Sequence, residues 1–362
     1  MNDDFVKRWV RPEIGAMHAY AVADATGMVK LDAMENPYAW PPALREDWSR
    51  LLQGTDVNRY PDPRAGELTR VLRDAMQVPP GAEVLLGNGS DEIIQMLAMT
   101  LGGPGRTLVS VDPGFVMYRL IAAFTGMAYH GVALDGSDFG LDADALLQAI
   151  RETEPALVFL AYPNNPTGNL FDAGLIEQVI ESAPGLVVID EAYAPFTDAS
   201  FMPRVDEFAN LAVMRTLSKM GLAGLRLGLL AGRPSLIREV DKTRLPYNIN
   251  TLTQRSASFA LEHLEIFDAQ TGTIRHDREL LYGALAEIDG ITPYPSAANF
   301  ILFRCPAGRG PGIFEGLKQR NVLIKNLDGS HALLRDCLRV TVGTPQENDR
   351  FQQALKETLA GT

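Results

Sequence analysis

The 362-residue chain lacks long apolar runs and is poor in cysteine. Its apolar runs, such as ALVFLAY at 156–162, are far below the roughly 18 residues that a membrane-spanning helix needs. The amino terminus, MNDDFVKRWVRPEIG, has charges where a secretory signal has an apolar core. Cys305 and Cys337 fit a reducing compartment, and no CxxC or His–Cys cluster indicates a metal or redox site. These absences predict a cytoplasmic protein without a membrane partner or a bound metal.

Basic charge is also scarce. The chain carries 33 Lys and Arg against 45 Asp and Glu, a formal net charge of −12. Because a nucleic-acid partner calls for a basic face, this balance argues against one. It does not exclude an anionic small molecule, since a pocket can concentrate arginine and lysine while the whole surface stays acidic.

Short apolar runs alternate with helical segments through the first two thirds of the chain. Continuous apolar runs predict strands that are covered on both faces, and therefore a mostly parallel sheet flanked by helices. Residues 172–183 have helical spacing, and Ser90 is a candidate N-cap for a helix that runs to Leu101. The predicted strands are TLVSV (107–111), ALVFLAY (156–162), GLVVID (185–190), LAVMRT (211–216) and LRLGLLAG (225–232).

The pattern changes after about residue 250, where longer helical stretches precede the strand-like runs 299–305, 322–326 and 337–343. We therefore expect an α/β protein with a large domain at 36–255 and a smaller α+β domain at 256–362. Residues 1–35 are expected to form an arm that lies against the small domain or a dimer partner.

Lys219 stands in an otherwise small and aliphatic stretch, RTLSKMGLAGLRLG at 215–228. Lysines are usually solvated surface residues, which is the ordinary interpretation. Burial between Leu217 and Met220 would instead lower the pKa of the amine, and a deprotonated amine is a nucleophile for a carbonyl group.

An anion site is predicted by GNGSDE at 87–92, a glycine-rich turn that opens a helix and presents free amides. Alone it could be a plain turn. Thr216, Ser218 and Arg226 could add hydroxyl and guanidinium donors to the same site.

Two more stretches follow predicted strands, where open α/β sheets bind ligands. YPNNPTG at 162–168 offers asparagine amides, and Asp190 ends an apolar strand where a carboxylate needs a cationic partner or a structural salt bridge. A lysine for a Schiff base, an aspartate for a pyridinium nitrogen, an asparagine for a phenolic oxygen and a phosphate cradle together match one cofactor, pyridoxal 5′-phosphate.

The order of these motifs resembles that of the fold type I pyridoxal-phosphate aminotransferases. Within them the chain is most similar to the histidinol-phosphate aminotransferases, through LDAMENPY (31–38), NRYPDP (58–63), RTLSK (215–219) and CLRVTVGTPQEN (337–348). The resemblance implies the fold type I transferase architecture, with a large mostly parallel domain and a smaller α+β domain.

The resemblance also implies roles for individual residues. Lys219 would hold the cofactor as a Schiff base and move the proton, and Asp190 would keep the ring nitrogen protonated. Asn165 and Tyr193 would bond the phenolic oxygen, and Phe115 would stack on the ring where the family often has tyrosine. The cofactor phosphate would be held by Gly89, Ser90, Asp91, Thr216, Ser218, Arg226 and, from the other subunit of a homodimer with shared sites, Tyr60.

For the substrates, the resemblance implies that Arg339 receives the carboxylate or phosphate, with Asn165 nearby. Tyr20, Asn36 and Lys325 match contacts to the phosphate or imidazole end, although relatives carry arginine where Lys325 stands. The implied reaction in histidine biosynthesis transfers an amino group between glutamate and imidazole acetol phosphate, with histidinol phosphate and 2-oxoglutarate as the other pair.

Three alternatives stay open at this stage. The chain could be an aminotransferase for aromatic or other amino acids, or a decarboxylase of a phosphorylated amino acid. It could also bind the cofactor as a sensor without turnover, but no helix-turn-helix or basic segment precedes the arm, and Lys219, Asp190 and Arg339 are all present.

Overall fold

The computed structural model describes residues 3–19 and 22–361, which contain three sheets and their surrounding helices. The strands are β1 (Val29–Lys30), β2 (Glu83–Gly87), β3 (Thr107–Asp112), β4 (Ala128–Ala133), β5 (Leu157–Ala161), β6 (Leu186–Asp190), β7 (Leu211–Thr216), β8 (Gly228–Gly232), β9 (Thr292–Pro293), β10 (Phe300–Arg304), β11 (Val322–Leu323), β12 (Lys325–Asn326) and β13 (Cys337–Thr341). The α-helices are α1 (Asp3–Trp9), α2 (Pro12–Gly15), α3 (Pro42–Gln53), α4 (Gly66–Ala75), α5 (Ser90–Leu101), α6 (Val116–Thr125), α7 (Ala143–Thr153), α8 (Ala173–Ser182), α9 (Pro234–Asp241), α10 (Thr251–Leu261), α11 (Leu264–Ala286), α12 (Gly310–Gln319) and α13 (Pro345–Ala360).

The central sheet has seven strands in the order β2-β8-β7-β6-β5-β3-β4. Neighbouring strands from β7 to β4 are parallel, and β8 runs antiparallel to β2 and β7, so the predicted mostly parallel α/β sheet is confirmed. Strands β5, β6 and β7 end at the same edge of the sheet. The edge strands β2 and β4 were not predicted, because the apolar run of β2, residues 84–86, is only three residues long and β4 is largely exposed.

The smaller sheet has the order β12-β13-β10-β9 and is antiparallel. The run 322–326, expected to be one strand, is divided at the buried Ile324. Its first part, β11, pairs in parallel with β1 of the arm, and its second part, β12, pairs with β13 so that Lys325 lies opposite Arg339.

Among the described residues the large sheet has a hydrophobic core on each face, and the small sheet has a third core of its own. The expected domain limits stay predictions, but the limit at 255/256 falls inside α10, whose Ala257 and Ala260 pack in the core of the large sheet. Along α11, Phe267 still belongs to that core, whereas Ile274 packs with the small sheet. The change from one core to the other therefore occurs within α11.

A short segment connects the arm to the strands β11 and β13 and to the turn after β7. The Leu31 amide donates to the Leu323 carbonyl at 2.7 Å, and the Leu31 carbonyl accepts from Thr341 at 2.9 Å. Five residues later, Asn36 Nδ2 donates to the Met220 carbonyl at 2.9 Å. Residues 31–36 thus pass from the small sheet to the turn after β7.

None of the helices in residues 3–19 and 22–361 combines the length and the apolar character of a membrane span.

Candidate active site

Lys219 lies in an irregular π-type turn, Ser218–Leu222, directly after β7. Gly221 in this turn has φ 126°, and a Cβ there would lie 3.0 Å from Asn36 Nδ2 and 3.2 Å from the ring of Phe267. Glycine is therefore required for the backbone to turn this tightly. The turn directs Lys219 Nζ to the Ala33 carbonyl, to which it donates at 3.1 Å.

The amine of Lys219 is enclosed rather than solvated. Burial, and after it charge repulsion from the nearby Arg339 guanidinium, lowers its pKa to about 8. About one tenth of the amine is therefore neutral at pH 7 and about half at pH 8, and the neutral form is the nucleophile.

Asp190 ends β6 and is 3% exposed. Tyr118 Oη donates to its Oδ2 at 2.7 Å, and the Ala192 amide donates to its Oδ1 at 3.1 Å. Burial raises the pKa of the carboxyl to about 6, because these neutral donors do not replace a cation.

The structural salt bridge that was considered for Asp190 is instead formed by the neighbouring residue, Glu191. Glu191 Oε2 lies 2.7 Å from Arg215 Nη2 and the carboxylate also accepts from Ser200 Oγ, whereas Asp190 makes no salt bridge in the part of the chain that is described. A cation for Asp190 must therefore come from a bound molecule.

Tyr118 is the partner that sequence reasoning missed. It lies three residues after Phe115, in the segment DPGFVMY (112–118) at the start of α6. Phe115 is the N-cap residue and has an extended backbone, so a helix-face spacing rule does not predict their contact. Their rings meet edge to face, with centroids 5.4 Å apart.

Asn165 and Tyr193, the pair that the resemblance assigns to the phenolic oxygen, lie side by side in the structure. Asn165 Nδ2 donates to Tyr193 Oη at 3.1 Å, and Asn165 Oδ1 accepts from Arg339 Nη1 at 2.5 Å. Arg339 also donates to the Asp32 carbonyl at 3.1 Å and is 6% exposed. Burial raises the pKa of Tyr193 and keeps its hydroxyl protonated. Thus one asparagine joins a phenol donor to a buried guanidinium.

The anion cradle forms where β7, β8 and α5 meet. Gly89, not Ser90, is the N-cap of α5: it has φ 81°, and Ser90 is the first helical residue. The prediction of Ser90 as N-cap is therefore wrong by one position, because the turn needs a glycine at positive φ. No side chain caps the helix, so its first amides face the cleft without an internal acceptor.

Hydroxyl and guanidinium groups complete the cradle. Thr216 Oγ1 and Ser218 Oγ are 2.9 Å apart, and Arg226 Nη2 lies 3.6 Å from Asp91 Oδ2. A Cβ at Gly228 would lie 2.9 Å from Ser90 N, so glycine permits this close approach. Donors of three kinds therefore converge on a space suited to a phosphate.

These groups line one cavity. Its lining includes Met34, Ser90, Asp91, Phe115, Ala161, Asn165, Asp190, Ala192, Tyr193, Thr216, Ser218, Lys219 and Arg226. The amine, the carboxylate, the phenol with its asparagine and the cradle fit the functional groups of pyridoxal phosphate. Asp91 Oδ1 is buried in this wall with no hydrogen-bond partner among the described residues.

An outer cavity adjoins the first and shares Met34, Phe115 and Asn165 with it. Arg339 and Lys325 both line this outer cavity, as a substrate site would require.

The other predicted residues lie elsewhere. Tyr60 is 79% exposed, stacks on Tyr247 with centroids 4.4 Å apart, and lines neither cavity. Asn36 donates to Met220 and Gln270 and accepts from the Tyr38 amide, so its amide is engaged within the chain. Tyr20 lies outside the described residues. The roles of all three stay predictions.

Opposite stability effects are expected at Asp190 and Glu191. The difference between a pKa of 3.8 and one of about 6 corresponds to a penalty of about 3 kcal/mol for the ionised Asp190. Asp190→Asn should therefore stabilise the cofactor-free protein by about 1–3 kcal/mol at pH 7.5, and most of this gain should be lost near pH 4, where the carboxyl of the folded protein is neutral. Urea unfolding at both pH values measures it.

Glu191→Gln is the matched control, because it removes the charge of a paired carboxylate. It should destabilise the protein by about 1–3 kcal/mol at pH 7.5. A loss of stability in Asp190→Asn as large as in Glu191→Gln would contradict an unpaired charge at Asp190.

The sequence matches the family Aminotransferase class I and II over residues 26–355. The chain is 56% identical to histidinol-phosphate aminotransferase 2 of Nitrosococcus oceani, over 98% of this chain and 99% of the relative. It is 50% identical to histidinol-phosphate aminotransferase 1 of Ralstonia nicotianae, over 99% and 97% of the two chains.

The fold is that of histidinol-phosphate aminotransferase from Sinorhizobium meliloti in complex with pyridoxal-5′-phosphate, with a TM-score of 0.87 at 23% identity over 98% of each chain. The fold and the family are thereby confirmed. The chain belongs to the class I and II aminotransferase family, in the branch whose curated relatives are histidinol-phosphate aminotransferases.

Proposed function

We propose that this enzyme transfers an amino group between glutamate and imidazole acetol phosphate, and so forms histidinol phosphate and 2-oxoglutarate in histidine biosynthesis. The observation that carries the proposal is a buried guanidinium, Arg339, at the junction of the outer cavity and the catalytic groups. The relatives at 50–56% identity support the choice of substrate.

Two buried cysteines that form no disulfide support a cytoplasmic location.

Pyridoxal phosphate, when bound, supplies an aldehyde that takes up the amino group and a ring that accepts electrons from the substrate Cα. Lys219 would provide the amine that holds this aldehyde between turnovers. When it is not bonded to the cofactor, the neutral amine would be the base that moves the proton between the substrate Cα and C4′ of the cofactor.

The remaining groups orient the ring. Asp190 would hold the proton on the ring nitrogen, whose positive charge would offset the burial of its carboxylate. Asn165 and Tyr193, already bonded to each other, would donate to the phenolic oxygen. The cradle at Ser90, with its uncapped amides, would take the phosphate.

Arg339 must serve two different anions. Glutamate presents a carboxylate, whereas histidinol phosphate has no carboxylate and presents a phosphate ester. A planar guanidinium can make paired hydrogen bonds to either anion. Lys325, opposite Arg339 in the sheet register, adds a second positive charge on the same cavity wall.

The substrate assignment is tested by incubating the purified enzyme and 2-oxoglutarate with histidinol phosphate, phenylalanine or tyrosine. We expect histidinol phosphate to react fastest. Carbon dioxide release from a phosphorylated amino acid without amino transfer would instead support a decarboxylase, and faster reaction of phenylalanine or tyrosine would support an aromatic aminotransferase.

Arg339→Gln should reduce kcat/KM for both glutamate and histidinol phosphate by about 100-fold, the usual effect of losing a buried charged partner. Steady-state kinetics with each substrate measures the change. Lys325→Ala is the comparison, and it should affect histidinol phosphate more than glutamate. If Arg339→Gln impaired only one of the two substrates, a shared anion site would be excluded.

The pH dependence of cofactor capture tests the state of Lys219. Because only the neutral amine reacts, the rate at which cofactor-free enzyme captures pyridoxal phosphate should rise with pH and level off above about 8. Arg339→Gln should move the midpoint to higher pH, since it removes a repelling cation. Stopped-flow absorbance measures the rate, and a wild-type midpoint near the ordinary lysine value of 10.5 would indicate a solvated amine.

We also propose a homodimer in which Tyr60 completes the phosphate site of the partner. Tyr60 is exposed and lines neither cavity of its own chain, and the apolar side chains of Val57 and Leu245 are likewise about 70% exposed. A second copy that covers this surface would bury these groups, since closed two-fold dimers are the commonest assembly.

Mixing two inactive variants tests shared sites. Lys219→Ala subunits retain Tyr60, and Tyr60→Ala subunits retain Lys219. Random mixing through denaturation and refolding should give about one quarter of wild-type activity, because half of the dimers are hybrids with one intact site each. Activity no higher than that of the separately refolded variants would show that Tyr60 does not act across subunits.

A further inference from the structure

We propose that Tyr118 is a positioning residue that fixes the orientation and charge of Asp190 for the ring nitrogen of the cofactor. Its hydroxyl oxygen lies 2.7 Å from Asp190 Oδ2, and it joins α6 to the end of β6 across 72 residues of sequence. The proposal concerns the cofactor site of the family and does not depend on which substrate the enzyme uses.

The ring of Tyr118 is held on two sides. It is 1% exposed, stacks on Phe159 with centroids 4.7 Å apart and an interplanar angle of 20°, and meets Phe115 edge to face. Phe115 also lines the cofactor cavity. The hydroxyl therefore has one fixed position, and the same packed aromatic group connects the ring-stacking residue to the carboxylate.

Two donors define the plane of the Asp190 carboxylate. Tyr118 donates to Oδ2 and the Ala192 amide donates to Oδ1, so rotation of the carboxyl group would break both bonds. A carboxylate can accept about four hydrogen bonds, so acceptor capacity remains for an N–H group in the cavity. A donor that stays protonated suits this role, because burial and Asp190 raise the pKa of Tyr118 well above its ordinary value.

The Tyr118 hydroxyl also affects the ionisation of Asp190. The carboxyl groups of Asp91 and Glu191 lie near Asp190 and disfavour its ionised form, and the titratable side chains of Tyr193 and Lys219 line the same cavity. Glu191 is compensated by Arg215. The Tyr118 hydrogen bond is the largest contribution that favours the carboxylate, so its loss should raise the pKa of Asp190.

The experiment measures the affinity of the cofactor-free enzyme for pyridoxal phosphate between pH 5.5 and 8.5. Tyr118→Phe keeps the ring contacts and removes the hydroxyl. We expect about tenfold weaker binding near pH 6.5 and an acid limb displaced upward by about one pH unit. Tyr38→Phe is the matched control, since Tyr38 Oη bonds Asp277 at 3.4 Å and lines neither cavity, and it should change neither quantity.

Asp190→Asn separates this effect from the titration of the cofactor phosphate, whose second pKa is about 6. In that background Tyr118→Phe should change the affinity by less than about twofold and leave the acid limb in place, because the group through which Tyr118 acts is gone. An equal loss of affinity in both backgrounds would show a general packing role and overturn the proposal. An unchanged acid limb in Tyr118→Phe would also overturn it.

A second replacement covers the case in which Tyr118→Phe does not fold. Incorporation of 3-fluorotyrosine at position 118 makes the hydroxyl a stronger donor and should displace the acid limb to lower pH. The absence of any displacement would contradict the proposal. Because every readout is cofactor affinity, a failure here is distinct from a failure of the histidinol-phosphate assignment, which only turnover tests.

Discussion

The active site depends on burying an amine and a carboxylate in one cleft without pairing them with each other. Lys219 and Asp190 make no salt bridge within residues 3–19 and 22–361, and only neutral groups bond them. Burial therefore moves both groups toward their neutral forms: the pKa of Lys219 falls to about 8 and that of Asp190 rises to about 6. The cofactor-free protein holds this unfavourable arrangement, which a ligand with a carbonyl group and a protonated ring nitrogen would relieve.

Contacts in the surrounding fold offset the unfavourable burial of Lys219 and Asp190. The buried pair of Glu191 and Arg215 lies one residue beyond Asp190 and ties the ends of β6 and β7 together. The arm contributes backbone carbonyls, through which Asp32 accepts from Arg339 and Ala33 accepts from Lys219. Stabilising contacts therefore surround the site, whereas the reactive groups, Lys219 and Asp190, lie within it. Such a separation is common, because functional groups often reduce the stability of the protein.

Sequence reasoning located the groups that stand at strand ends. Asp190, Asn165 and Lys219 each follow a continuous apolar run, and parallel strands bring such ends together. The prediction failed where the local sequence has no pattern that distinguishes the structure. The edge strand β4 has no apolar run, and the division of 322–326 between two sheets depends on partners far along the chain. The bond from Tyr118 to Asp190 spans 72 residues, and no spacing rule specifies it. The proposed role of Tyr60 involves a second subunit, which no pattern within one chain specifies.

Chemical trapping tests the central claim most directly. Borohydride treatment of the cofactor-loaded enzyme, followed by proteolysis and mass spectrometry, identifies the side chain to which the cofactor is bonded. The account predicts that the mass of the reduced cofactor is found on the peptide that contains Lys219 and nowhere else. Recovery of unmodified Lys219 from fully loaded enzyme, or the cofactor on another lysine, would contradict it.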